Sequence, residues 1–245
     1  MKLSVCMATC NGERYLAEQV GSIVPQLESH DEVVISDDAS TDGTLALLRK
    51  IEDGRIRILP GKTFHSPIYN IEYAMSRSEG DVIVLSDQDD IWLPHKLSVV
   101  RRWFSSRRPG VNTLVLDGCM IDEHGRLLQP SLFETLGAGR GIVKNLYRNT
   151  YMGCCMAFSR ELLGLALPFP ASIPMHDSWL GLLSELYGTV EFLPERTIEY
   201  RRHPFNRSFQ RFTVGRQIGW RYFLAYNLVK KVLSHPGGLL ARGKG

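Results

Sequence analysis

The 245 residues hold 29 Lys and Arg against 26 Asp and Glu, with 44% hydrophobic and 22% charged residues. These proportions fit one globular α/β-sized chain and exclude disorder, collagen-like repeats and a small disulfide-stapled module. No run approaches the ~18–20 apolar residues of a membrane-spanning helix, and the five cysteines, without a C-x-x-C pair, suggest neither a disulfide framework nor a zinc site. Met1 to Val5 enter strand-like sequence with no signal-peptide core, so a cytoplasmic chain is expected.

In chain order, Leu3 to Met7 is the first strand, and Tyr15, Leu16, Gln19, Val20 and Ile23 fall at helical spacing before Pro25. Glu32 to Ser36 is a second strand. Thr41 to Thr44 caps a helix carrying Leu45, Leu47, Leu48 and Ile51. Arg55 to Leu59 is a third strand, Asn70 to Ser78 a helix, and Asp81 to Leu85 a fourth strand, apolar as a central parallel strand should be. This alternation predicts right-handed crossovers and a Rossmann-like, mostly parallel sheet with helices on both faces. Beyond it, Thr113 to Leu116 and Cys155 to Phe158 read as strands and Asp177 to Tyr187 as an apolar helix. Val190 to Leu193 and Thr197 to Arg201 read as two antiparallel pieces, and Gly-rich 129–148 as a loop.

Polar clusters follow three of the strands: Thr9 to Glu13, Asp37 to Asp42, and Ser86 to Asp90. Ligands of such sheets bind beyond the carboxyl ends of the strands, where strand order reverses. Asp87, Asp89 and Asp90 directly follow a buried strand, and three carboxylates so close repel one another unless a cation neutralises them. Hard oxygen ligands select Mg²⁺ or Mn²⁺.

Val5 to Glu13, the turn Asp37 to Thr44 and the Asp-x-Asp run at Asp87 and Asp89 together resemble the family 2 glycosyltransferases. Within that family they look most like bacterial rhamnosyltransferase-type enzymes of surface polysaccharide synthesis. The resemblance covers residues 3 to about 205 and implies a GT-A fold. It also implies inverting transfer from a nucleotide-diphosphate sugar, dTDP-rhamnose or a UDP-sugar, to a glycan or lipid-linked saccharide. By the same resemblance Thr9, Asn11 and Glu13 hold the nucleotide, Asp38 (or Asp37 beside it) accepts the pyrimidine N3–H, and Asn70 faces the nucleotide. Asp87 approaches the ribose, and Asp89 with His203 ligates Mn²⁺ or Mg²⁺. Gly153 borders the donor sugar, and Asp177 is the base that deprotonates the acceptor. His176 orients the loop or the acceptor. Arg201 and Arg202 are alternative diphosphate ligands. Cys155 stands where the family has Thr or Ser, and Pro204-Phe205 where it has small residues.

Two other readings share some features. A sugar-1-phosphate nucleotidyltransferase needs a Gly-rich phosphate loop with a basic residue, which Thr9 to Glu13 is not. Against a nucleotide-sugar-binding module that has lost catalysis stand the intact Asp87, Asp89 and Asp177.

The charge is uneven. Residues 201–245 contain ten Lys and Arg, and no Asp or Glu follows Glu199. The chain divides accordingly into a catalytic domain, 1–205, and a basic tail, 206–245. In the tail Ile218, Tyr222, Tyr226, Val229 and Leu233 form a helical stripe, with Phe209, Phe212, Trp220 and Phe223 adding aromatic bulk. Such an amphipathic helix suits the anionic inner face of the plasma membrane, a partner, or its own catalytic domain as a cover with a wet basic face. Nucleic acid is not expected as a partner, because no nucleic-acid motif accompanies the charge.

Overall fold

Short apolar runs bounded by polar turns become the buried strands of this computed structural model, which describes residues 1–204, 206 and 213–236. Phe205, Phe209 and Phe212, with the charges at Arg207, Arg211, Arg242 and Lys244, lie outside the described residues. The first strands are β1 (Leu3–Thr9), β2 (Glu32–Asp38), β3 (Ile56–Lys62) and β4 (Val82–Ser86). Between them run α1 (Glu13–Ile23), α2 (Thr44–Arg49) and α3 (Pro67–Arg77). In β2 and β4 every residue is buried, because both sheet faces are covered. β1 pairs in parallel with β2 on one flank and β4 on the other, and β3 lies beyond β2. The chain therefore winds outward and returns to the opposite side of β1. That reversal puts the ends of β1 and β4, and both their polar clusters, at one switch point.

The second half departs from the purely parallel expectation. It comprises β5 (Ile91–Trp92), α4 (Lys96–Ser105), β6 (Asn112–Asp122), β7 (Leu127–Gln129), α5 (Leu132–Leu136) and α6 (Ile142–Tyr147). There follow β8 (Met156–Ser159), α7 (Glu161–Ala166), α8 (His176–Tyr187), β9 (Thr189–Arg202) and α9 (Val214–Ser234). The sheet order is β3-β2-β1-β4-β8-β6-β9-β5, with β7 on β6. β8 is antiparallel to both β4 and β6, so the sheet is mixed.

The two antiparallel pieces expected at 190–201 are one strand, β9, which runs parallel to β6 and antiparallel only to two-residue β5. Pro194 interrupts the hydrogen-bond ladder, and register shifts around Asp117 absorb it without ending the strand. The loop expected at 129–148 holds two short helices. Ser131 Oγ accepts the Glu134 amide at the start of α5, and Gly137 closes it in a left-handed conformation (φ 61°). Before α6, the buried Glu185 carboxylate accepts the Gly141 amide at 2.8 and 2.9 Å, and it also receives the Tyr151 hydroxyl.

Part of the expected tail, Val214–Ser234, is helix α9. Leu224 and Leu228 are buried and belong to the same hydrophobic core as the sheet. The Tyr187 hydroxyl donates to the Lys231 carbonyl, and Arg221 donates two bonds to the Tyr147 carbonyl. Among the described residues no helix is long and apolar enough to cross a membrane.

Candidate active site

The loops after β1 and β2 are knitted together by the polar residues that the sequence singles out. Asn11, at φ 50°, accepts the Thr41 amide on its Oδ1 at 2.8 Å, and Glu13 accepts the Gly43 amide at 2.8 Å. Thr9 Oγ1 donates to Asp37, which also takes the Ser40 amide and hydroxyl. Asp38 accepts three successive amides, from Phe64, His65 and Ser66, and so shapes the turn that begins α3. Both Asp38 oxygens are engaged, and only Oδ2, with one bond from Ser66, keeps wide acceptor capacity. Asn70 Nδ2 donates to the Thr9 carbonyl at 3.0 Å, while its buried Oδ1 is an acceptor with no partner.

A side-chain clasp joins this region to the acidic loop. Gln88, the middle residue of Asp-x-Asp, accepts the Cys10 amide at 2.9 Å and donates to the Cys10 carbonyl at 3.1 Å. The two polar clusters of the switch point thus form one unit.

Within the acidic loop the three carboxylates part company. Asp89 Oδ2 lies 2.8 Å from His203 Nε2, with Asn206 Nδ2 at 3.2 Å. The ring of Tyr15 lies against that of His203, at 5.0 Å between centroids. Asp90 is fully buried; its Oδ1 accepts the Arg201 amide at 3.0 Å and its Oδ2 has no partner. Burial, reinforced by Asp89 and Asp87, raises its carboxyl well above the ordinary range. Asp87 is exposed where it lines a cleft. Desolvation, then the charges of Asp89 and Asp177, push it up to about 7.

Beneath these acids lies Lys96, also fully buried. Its Nζ donates to the Cys154 carbonyl at 2.6 Å and sits 4.1 Å from the Trp92 ring centre. Burial lowers its pKa, and the nearby anions oppose that shift. Arg201 is buried too, donating to the Asp89 carbonyl and to Glu18. It braces the loop, so the diphosphate role expected for it does not fit. Arg202 stays exposed and lines the cleft.

The cleft measures about 900 Å³ and brings together Asp87, Gly153, His176 and Asp177, with Tyr147 and Trp220 among its other walls. Asp177 stands in the first turn of α8, whose N-cap is Met175, so it is not the capping residue. Its Oδ1 accepts the Ser178 amide at 2.6 Å and Asn149 Nδ2 at 3.1 Å. Burial raises its carboxyl to about 6, against those bonds and one from the Gly153 amide. A Cβ on Gly153 would stand 2.6 Å from His176 Nε2, so the glycine makes room for that ring. His176 is buried with Nδ1 unpartnered, and burial pushes it down to about 4, so it is neutral at ordinary pH.

The fold thus unites Asp87, Gly153 and Asp177 in the cleft and pairs Asp89 with His203 beside it. Thr9 and Asp38 end β1 and β2, Asn11 lies in the loop after β1, Glu13 begins α1 and Asn70 stands in the first turn of α3, and none of them lines the cleft. Sequence reasoning places Lys96 at a helix start and Cys154 in the stretch bordering the donor sugar but gives neither a contact with the acids, and it assigns no role to Asn149 or Asn206. Lys96 left a further trace, standing at helical spacing from Val99, Val100 and Trp103 on the buried face of α4. Among the described residues Asp87, Asp90 and the Cys154 thiol have potential ligand atoms within 4.8 Å of one another and could together hold a metal ion.

Known proteins resemble this chain in sequence and in fold. Residues 4–164 match the profile of the family described as "Glycosyl transferase family 2". EpsE of Bacillus subtilis, a glycosyltransferase by name, is 36% identical over 54% of this chain and 50% of its own length. The dTDP-rhamnosyl transferase RfbG of Shigella flexneri is 37% identical over 37% of this chain and 34% of its own. WfgD of Escherichia coli, named a UDP-Glc:alpha-D-GlcNAc-diphosphoundecaprenol beta-1,3-glucosyltransferase, is 27% identical over 40% of this chain and 38% of its own. The chain therefore spans half or less of these three relatives. S. aureus TarS 1–349, solved with UDP-GlcNAc, superposes with a TM-score of 0.73 at 19% identity, covering 95% of this chain and 67% of TarS. That likeness speaks for the GT-A fold, and the profile match over most of the chain makes it a member of glycosyl transferase family 2.

Proposed function

We propose that this protein transfers a sugar, with inversion, from a nucleotide-diphosphate sugar to a hydroxyl of a lipid-linked or free saccharide in surface polysaccharide synthesis. The observation that carries the reading is the shared cleft of Asp87 and Asp177, two raised carboxyls contributed by segments far apart in the chain. The donor classes named for RfbG and WfgD, dTDP-rhamnose and UDP-glucose, and the lipid-diphosphate acceptor of WfgD, support it by similarity.

A divalent cation suits the residues present. Asp90 Oδ2 is a buried acceptor without a partner, and the charge of buried Lys96 opposes that of Asp87 and Asp90. Asp89 and His203, with Asp87 adjoining, would hold Mn²⁺ or Mg²⁺, which supplies Lewis-acid stabilisation of the diphosphate leaving group. The nucleotide is assigned to Thr9, Asn11, Glu13, Asp38 and Asn70, where Asn70 Oδ1 offers an unused acceptor. Asp177, ionised above about pH 6, takes the proton of the acceptor hydroxyl as its oxygen bonds to the anomeric carbon. The bond from that carbon to the diphosphate breaks on the opposite side. Neutral His176 packs against Gly153 and keeps the Gly153 amide turned toward Asp177.

Two variants separate these roles. Asp177→Asn should lower kcat by about 10²–10⁴ while binding nucleotide with Mn²⁺ as the parent does. Asp89→Ala should lose the Mn²⁺-dependent part of nucleotide affinity, read by calorimetry. Normal turnover by Asp177→Asn removes the base assignment, and Mn²⁺-independent binding by the parent removes the cation.

A further inference from the structure

Helix α9 buries Leu224 and Leu228 against the body and turns a different side to solvent. Ile218, Tyr222, Phe223, Tyr226, Val229 and Leu233 are each between 44% and 76% exposed. At 21 residues the helix is about 30 Å long. A second segment, distant in sequence, enlarges this surface. Val143 and Tyr147 stand one turn apart on α6 and are 81% and 73% exposed. Arg221 of α9 donates to the Tyr147 carbonyl and lies 5.2 Å from its ring centre, which sets the α6 pair beside the start of the α9 stripe. Exposed Lys144, Arg148, Arg216 and Lys230 flank the apolar side chains.

We propose that α6 and α9 together form a docking face for an anionic phospholipid bilayer, with the mouth of the catalytic cleft at its edge. Three properties select this occupant. First, contiguous apolar exposure over two elements marks an interaction surface. Second, its flanks are basic, and no Asp or Glu occurs on either helix. A second copy related by a twofold axis would set these cations against themselves, whereas anionic headgroups complement them. Third, Tyr147, Tyr222 and Tyr226 each combine an apolar ring with a polar tip, the chemistry of a bilayer interface. Tyr147, Arg148, Arg216 and Arg221 also line the cleft that holds Asp177, so a docked molecule opens its pocket beside the headgroups. The purpose of docking rests on the lipid-linked acceptor proposed above. The binding itself does not, and it is tested without donor or acceptor.

The experiment is flotation of the full chain with vesicles of phosphatidylcholine alone or mixed with phosphatidylglycerol. Flotation with the mixed vesicles, weakened by salt, is expected. Ile218→Ser/Tyr222→Ser/Tyr226→Ser should lower partitioning about tenfold or more, and Val143→Ser/Tyr147→Ser should lower it several-fold with α9 intact. Unchanged melting temperatures check that these variants stay folded, and the parent measurement stands without them. Failure of the parent chain to float with phosphatidylglycerol vesicles overturns the proposal. So does parent-like binding by the Val143→Ser/Tyr147→Ser variant, or a parent dimer in solution that the α9 substitutions convert to monomer.

Discussion

Asp177 is held by the Ser178 and Gly153 amides and the Asn149 side chain, yet its carboxyl rises from 3.8 to about 6 because burial outweighs those bonds. A base works only when ionised, so the transfer rate should fall as pH drops through about 6 and level off above it. Asn149→Ala removes a bond that favours the ionised form, so the limb should move to higher pH in a profile of kcat at saturating donor. A limb that stays in place detaches Asn149 from the base. Lys96 presents the complementary case, a buried cation on a carbonyl. Lys96→Met keeps the apolar stem and should cost about 1.5–3 kcal/mol in a urea melt, because the Cys154 carbonyl loses its charged donor. Carboxylates after an apolar strand are visible in any sequence. A lysine beneath them is not, because one letter serves both a wet surface and a buried ammonium. Its place on the stripe with Val99, Val100 and Trp103 was the only available sign.

Strands β1, β2 and β4 are legible because burial on both faces demands unbroken apolar runs, and the turns between them are crowded with Asp, Asn and Gly. β9 is not, because Pro194, Glu195 and Arg196 look like a break, and only the partner β6 shows that register shifts absorb them. Helix α5 was readable and was missed: Ser131 and Glu134 have capping-box spacing and Gly137 ends the helix, but five residues show too little periodicity. The β6–β9 contact depends on Gly118, where a Cβ would stand 2.6 Å from the Ile198 carbonyl oxygen. Backbone cannot yield as a side chain does, so Gly118→Ala should cost about 1–3 kcal/mol in denaturant melts. Stability equal to the parent's would show that the two strands part without penalty.

For the molecule as a whole, Asp87, Asp90 and Asp177 all have carboxyls raised by folding. His176, pushed down to about 4, gives up one proton on folding, but the three acids outnumber it. The folded chain therefore holds more protons than the unfolded one between the ordinary carboxylate value of 3.8 and about 7. Without a divalent cation its stability should fall as pH rises through that window. Mn²⁺ favours the ionised acids, so it should raise the melting temperature more at about pH 7.5 than at about pH 5. Equal shifts at both pH values, followed by fluorimetry, would contradict a cation at these acids.

Arg216, Gln217, Trp220, Arg221 and Leu224 of α9 wall the same cleft as Asp87 and Asp177. On the ribosome that wall is made after both acids, and the pocket stays open-sided until the segment through Leu224 has emerged and folded back. A chain interrupted before that point would still display the acidic loop but would not enclose the space above it.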